Sequence, residues 1–398
     1  MKFTELQKRL STLVIFRSLL SEPIVIKLRK LLDTNDQDVA NYIDLYCDFC
    51  ATLFDVDTNM SRYLYRYVMR DENVYVSRIA QAKPIENILH QCLLHELRVI
   101  QELSQLTSES VLRDLPYPGY LPKWKTTKYQ FRKDYLHKME RLPIDGYGVF
   151  AKYHVFRLEK QGLLPVHHPD PQSLHELIGY RRERKQVEQN TVAFLQGMKA
   201  SNALLYGDAG TGKSSTVKAI ANAYKDQGLR LIEVSKQLLH RLPELMDELA
   251  KNPLKFIIFI DDLSFNRSDD NFVALKTILE GGVGGRQTNV LIYATTNRRH
   301  FVKESMKDRN ADELFTNDSI QETMSLAARF GLTITFQKPN KDLYLEIVQG
   351  LARENQLSIE GDELITQAEM FALRNNGRSP RTAKQFVEMQ KIQEDLEK

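Results

Sequence analysis

Gly207-Asp208-Ala209-Gly210-Thr211-Gly212-Lys213-Ser214 decides how this chain is read. The spacing is G-x-x-x-x-G-K-[ST], a Walker A phosphate loop, and its flanks suit it. Ala203-Leu204-Leu205-Tyr206 before it is a short apolar run of strand type. Ser215 to Tyr224 after it lacks Gly and Pro and carries Val217, Ala219, Ile220, Ala221 and Ala223 at helical spacing. Glycines at 207, 210 and 212 leave no Cβ in the way, so successive backbone N–H groups can turn inward around a polyphosphate at the positive end of the following helix. Lys213 is placed to reach the β- and γ-phosphates and Ser214 to give its hydroxyl to Mg²⁺. With Ser215 at the start of the helix, residues 207–215 are the expected nucleotide-binding loop.

Working outward, Leu229 to Val234 reads as a second strand and Phe256-Ile257-Ile258-Phe259-Ile260 as a third. Five consecutive apolar residues are the pattern of a parallel strand covered on both faces. Asp261 and Asp262 follow at its C-terminal end, where open α/β sheets bind ligands. This is a Walker B sequence, with Asp261 expected to hold Mg²⁺ and Asp262 to polarise the attacking water. Asp262 stands where a Glu is common, one methylene shorter, which predicts slow water activation. A fourth strand, Val290 to Thr295, leads to Asn297, a candidate γ-phosphate sensor; Arg298, Arg299 and His300 read as a solvated turn. The Gly281-Gly282-Val283-Gly284-Gly285 run lacks a Lys-Ser ending and reads as a helix exit. Arg329 precedes a fifth strand, Leu332 to Phe336, and is placed either to reach a neighbouring subunit's γ-phosphate or to pair locally at a helix end. After Pro339 three helices form a lid, and Arg381 in the first turn of the last is placed to meet the triphosphate. Ahead of the loop, Ile178-Gly179-Tyr180 is an apolar run ending near a Gly and a candidate contact for the base, unless Ile178 only packs.

The rest of the chain is consistent with a large protein of several domains: 398 residues, 42% hydrophobic and 27% charged, with a net charge of +3. No apolar run approaches the roughly 18 residues of a membrane span, and the polar start Met1-Lys2-Phe3-Thr4-Glu5 is unlike a signal peptide. Three cysteines make no disulfide framework. A cytoplasmic protein is expected. Residues 1–112 read as an all-helical domain. Cys47 and Cys50, with His90, Cys92 and His95, have metal-type spacing, but they fall within apolar helical stripes and read as small buried hydrophobes. Residues 113–172 are rich in proline, a texture that predicts a connector without a long helix. In it Lys123, Trp124, Lys125, Lys128, Tyr129, Phe131, Arg132, Lys133 and Tyr135 interleave cations with aromatics. That mixture is read either as a single-stranded nucleic-acid surface or as a connector whose aromatics dock on the nucleotide-binding core. The core itself is expected at 173–338 and the lid at 339–398.

In order, these motifs resemble the AAA+ ATPases over residues 173–398. Ile260-Asp261-Asp262-Leu263-Ser264-Phe265 and Ala327-Ala328-Arg329-Phe330-Gly331-Leu332 look like segments of bacterial replication initiators. Ser379-Pro380-Arg381-Thr382-Ala383 looks like the lid-helix start of Holliday-junction branch-migration motors. The chain resembles more closely a bacterial AAA+ family known as a domain of unknown function, at Gly146 to Tyr153, His168-Pro169-Asp170-Pro171, Asp261 to Phe265, Leu279 to Gly282 and Tyr293 to His300. The resemblance implies an α/β P-loop fold with a five-stranded parallel sheet and helical lid, ATP and Mg²⁺ as cofactors, and roles for Asn297 as sensor 1, Arg329 as trans arginine finger and Arg381 as sensor 2. Three functions follow: an oligomeric ATPase that remodels a protein or nucleic-acid client, a nucleotide-gated adaptor with very slow hydrolysis, and a P-loop kinase, against which Asn297 and Arg381 argue.

Overall fold

The computed structural model describes residues 2–34, 38–113, 115–263, 275–279, 288–297, 327–375 and 377–396. The chain divides into two compact units, Met1–Ala151 and Lys152–Lys398. The first is helical: α1 (Lys2–Ser11), α2 (Pro23–Asp33), α3 (Val39–Phe54), α4 (Met60–Arg70), α5 (Val74–Ala80), α6 (Asn87–Ser104), α7 (Ser108–Val111) and α8 (Phe131–Asp145). Local signals set the starts of several. Asp38 caps α3 by accepting from the Asn41 N–H, and Asn59 caps α4 by accepting from that of Arg62. Their apolar stripes meet in one core that includes Phe16, Leu28, Tyr46, Phe49, Leu64 and Ile100.

Within that core lies a carboxylate. Glu96 of α6 is 1% exposed, and its two oxygens accept from the backbone N–H groups of Val14, Ile15 and Phe16 at 2.9–3.0 Å. It satisfies donors that the turn after α1 leaves unpaired.

Residues 113–172 do not stand apart. A 15-residue helix, α8, persists there because Pro143 falls in its last turns, where few bonds are lost. Trp124, Phe131 and Tyr135 are buried in the helical unit's own core, the Trp124 indole donating to the Leu106 carbonyl at 2.8 Å. These aromatics, expected to dock elsewhere, therefore pack within the first unit's own helices.

The second unit is built on a seven-stranded sheet, two strands more than expected. β1 (Val155–Glu159) and β2 (Gly162–Pro165) form an antiparallel hairpin in a stretch read as connector. β3 (Ala203–Gly207), β4 (Leu229–Glu233), β5 (Lys255–Ile260), β6 (Val290–Thr296) and β7 (Leu332–Phe336) follow the expected strands. The order is β2-β1-β4-β5-β6-β3-β7, parallel apart from the hairpin. The short β1–β2 hairpin was missed because its apolar residues are too few to show a period. Among the described helices, α9 (Arg181–Leu195), α10 (Lys213–Tyr224) and α11 (Leu242–Leu249) lie between strands. α12 (Lys341–Glu354), α13 (Gly361–Arg374) and α14 (Pro380–Leu396) pack together as the lid. This is an α/β fold with a phosphate loop at the end of β3. The Gly281–Gly285 run, Ser264, Phe265, Arg298, Arg299 and His300 lie outside the described residues.

Candidate nucleotide-binding site

Register brings the motifs together. Tyr206 lies beside Thr296 and Gly207 beside Phe336, while Ile260 lies beside Ala294. The C-terminal ends of β3, β5, β6 and β7 thus share one edge, and the loop after β3, Asp261, Asp262 and Asn297 gather there. Gly207 has φ +141°, and a Cβ on it would lie 1.9 Å from the Phe336 carbonyl oxygen, so only glycine lets β7 approach. Gly210 and Gly212 have φ of +76° and +91°. The second caps α10, which begins at Lys213.

Lys213 is 5% exposed, and its ammonium donates to the carbonyls of Gly207 and Asp208 at 2.8 Å and to Asn297 Oδ1 at 2.9 Å. Burial pushes it down to about 8, against the pull of Asp208, Asp261 and Asp262. The other end of the Asn297 amide donates to Asp262 Oδ1 at 3.1 Å. One side chain therefore links the loop lysine to the second Walker B carboxylate. Ser214 Oγ donates to Asp261 Oδ1 at 2.6 Å. These hydroxyl and carboxylate oxygens are the hard donor set that Mg²⁺ takes, and the donors fit that ion.

Two contributors were not read from the sequence. Thr295 Oγ1 donates to Asp261 Oδ1 at 2.5 Å and accepts from the Asp262 N–H at 2.9 Å, fixing the first carboxylate and the backbone of the second aspartate to β6. Its signal was a polar residue closing an apolar strand. Lys236, just beyond β4, brings Nζ to 3.9 Å from Asp262 Oδ2, and nothing local in the sequence marks it. Asp262 sits at φ +53°, in the left-handed region where non-glycine residues are costly.

The opposite wall comes from the segment before α9 and from the lid. Gly179, at φ +78°, has room for a Cβ only 2.9 Å from Ile347 Cδ1, and a Cβ on Gly350 would lie 2.5 Å from Ile178 Cδ1. Residues 178 and 179 therefore seat closely on α12. Tyr180, also left-handed at φ +49°, is buried against Phe336 and donates its hydroxyl to the Gln337 carbonyl at 2.5 Å. The Arg381 N–H donates to the Gly210 carbonyl at 3.2 Å, so the first turn of α14 rests on the phosphate loop. Ile178, Gly179, Tyr180, the loop residues 209–215, Asp261, Asp262, Asn297 and Arg381 line one cleft of about 810 Å³. That lies in the range of small-ligand sites.

Arg329 is not among the residues that line the cleft. It precedes β7, whose Leu332 pairs with Ala203 and whose Phe336 pairs with Gly207. Four strand steps, about 13 Å, separate those ends, so Arg329 stands at the edge away from the loop. Cys50 is buried in the first unit, where burial pushes its thiol up to about 12. The Cys50-bearing α3 and the Cys92-bearing α6 belong to that unit's core.

Residues 151–393, more than half of the chain, match the model of a family described as a protein of unknown function, DUF815. The chain belongs to the DUF815 family. No curated protein matches this family member. Solved structures similar to it include the RuvB Holliday junction branch migration motor of Thermotoga maritima, at 18% identity and TM-score 0.38, covering 55% of this chain and 63% of that one. Two point mutants of that motor match at 20% and 21% identity with TM-scores of 0.37, over 55% of this chain and 64% and 63% of theirs. The DUF815 chain thus spans less than two thirds of each, and likeness at this distance transfers no activity.

Proposed function

We propose that this chain binds ATP with Mg²⁺ in the cleft and hydrolyses it, using the cycle to change the conformation of a macromolecular partner. The observation that carries this reading is the continuous chain Lys213–Asn297–Asp262 set beside Ser214–Asp261–Thr295 on a glycine-shaped loop. In it the backbone N–H groups of 209–215 hold the phosphates and Lys213 neutralises them. Ser214 and Asp261 hold Mg²⁺, which when bound screens the phosphate charge. Asp262 takes the proton of the attacking water, and Asn297, bonded to it, keeps that water in line. Ile178, Gly179 and Tyr180 border the base, and Arg381 reaches the triphosphate from the lid. Arg329 serves the site of a second copy, so turnover requires assembly. Little covalent chemistry is asked of the protein; positioning and charge do the work.

The short Asp262 carboxylate in a left-handed conformation favours slow turnover. That supports a second reading, a nucleotide-gated adaptor in which hydrolysis only resets the bound state. Calorimetric titration with ATP and Mg²⁺ tests the shared premise. Wild type and Asp262→Asn are expected to bind alike, and Lys213→Ala to lose at least tenfold in affinity. Undiminished affinity in Lys213→Ala overturns the assignment of the cleft. Among the described residues no helix is long and apolar enough to cross a membrane.

A further inference from the structure

Helix α4 reads Met-Ser-Arg-Tyr-Leu-Tyr-Arg-Tyr-Val-Met-Arg from residue 60 to 70. Leu64 and Val68 face the core, whereas Arg62, Arg66 and Arg70, one turn apart on one face, are exposed. The helix holds no carboxylate. The stretch Lys123 to Lys133 has the same character: Lys123, Lys125, Lys128, Arg132 and Lys133 are exposed, Trp124 and Phe131 are buried, and it too lacks Asp and Glu. The fold joins the two. The Lys125 N–H donates to the Thr58 carbonyl at 2.9 Å and the Met60 N–H to the Lys125 carbonyl at 3.0 Å. Asn59 Nδ2 donates to Thr127 Oγ1 at 2.8 Å. Tyr65 and Tyr129 stack with centroids 4.3 Å apart and planes 20° from parallel. Eight exposed cations thus lie on two adjoining stretches of the helical unit, in a chain whose whole net charge is +3, with Lys123 paired to Glu109 at 3.5 Å.

The face is partly pre-ordered. Buried Asp57 takes Arg62 at 2.5 and 2.6 Å and Arg66 at 3.4 Å, and the hydrogen bond from Arg62 holds its carboxyl below the usual range. Arg70, Lys125, Lys128, Arg132 and Lys133 have no carboxylate partner among the described residues. Asp134, the next residue, interacts with the Tyr65 hydroxyl.

We propose that this face binds single-stranded nucleic acid. The cations pair with successive phosphates, and the half-exposed Tyr65–Tyr129 stack offers a ring surface to unpaired bases. An anionic membrane is the weaker match, because no apolar side chain of either stretch is exposed to enter it. A duplex is weaker too, since its bases are already stacked. The inference uses no residue of the ATP cleft and stands apart from the function proposed above. The arginines of α4 extend the cation–aromatic stretch Lys123 to Tyr135 with a segment that carries no such signal by itself.

Fluorescence anisotropy of a labelled oligothymidylate, with the full-length chain and no nucleotide, tests it across a salt series. Against wild type, the Arg70→Glu, Lys128→Glu, Arg132→Glu triple variant is expected to bind at least tenfold more weakly. Its log affinity against log salt should be shallower by about 2, from roughly 0.7 per phosphate contact. Tyr129→Leu is expected to weaken binding roughly tenfold with the salt slope unchanged. Unaltered emission of Trp124, buried in the same unit, and an unaltered unfolding midpoint confirm the fold of each variant. The proposal is overturned if wild type does not bind the oligonucleotide at low salt, if the triple variant binds as tightly as wild type, or if wild type prefers phosphatidylserine vesicles.

Discussion

Gly207 and Gly212 share a positive φ but not their surroundings, and the difference separates two substitutions. A Cβ at 207 meets backbone 1.9 Å away, whereas nothing lies within 4 Å of one at 212. Gly207→Ala must part β3 from β7, and a loss of roughly 3 kcal/mol or more is expected. Gly212→Ala carries only left-handed strain, about 1–2 kcal/mol. Urea denaturation followed by circular dichroism measures both; equal midpoints would refute the packing argument. Cys50 gives a residue-scale prediction in the other unit. With its thiol pushed up to about 12 it stays protonated at pH 8, so iodoacetamide on the native protein should modify half-exposed Cys47 and Cys92 and spare Cys50. Peptide mass spectrometry reads the result, and modification of Cys50 equal to the others would contradict its burial. Stability from that group is full below the free thiol's pKa and is lost as pH rises from 9 toward 12, because only the unfolded chain ionises in that window.

At the scale of elements, what the sequence makes legible follows from how local the cause is. The phosphate loop, the five apolar runs and the lid helices carry their own signals, and the strands lie within about a residue of their expected ends. The β1–β2 hairpin does not, because its apolar residues are few and β1 takes its place in the sheet by pairing with the distant β4. Nor does Thr295, whose meaning depends on two aspartates from another strand. Glu96 is the sharpest case: a charged residue in a helix reads as surface, yet here the backbone of residues 14–16 makes its burial favourable. Glu96→Gln turns one acceptor into a donor facing N–H groups and should cost roughly 2–3 kcal/mol. Trp124, the chain's single tryptophan, is buried in the same unit, so its fluorescence follows that loss directly. An unchanged unfolding midpoint would mean that the three N–H groups find other partners.

At the scale of the whole molecule, the proposed trans role of Arg329, which does not line its own cleft, requires a second copy to complete each site. ATPase rate per chain should therefore rise with protein concentration. Arg329→Ala should abolish that rise and lower the rate by on the order of 10³, the effect of an arginine finger, with ATP affinity retained. A rate independent of concentration and unaffected by Arg329→Ala would confine the chemistry to a single chain. The most direct measurement is phosphate release from ATP and Mg²⁺ by purified full-length protein beside Asp262→Asn. The account predicts slow, saturable release by wild type and a fall of about a hundredfold or more in the variant, with nucleotide still bound. Equal release from both proteins, or none from wild type at any concentration, would contradict it.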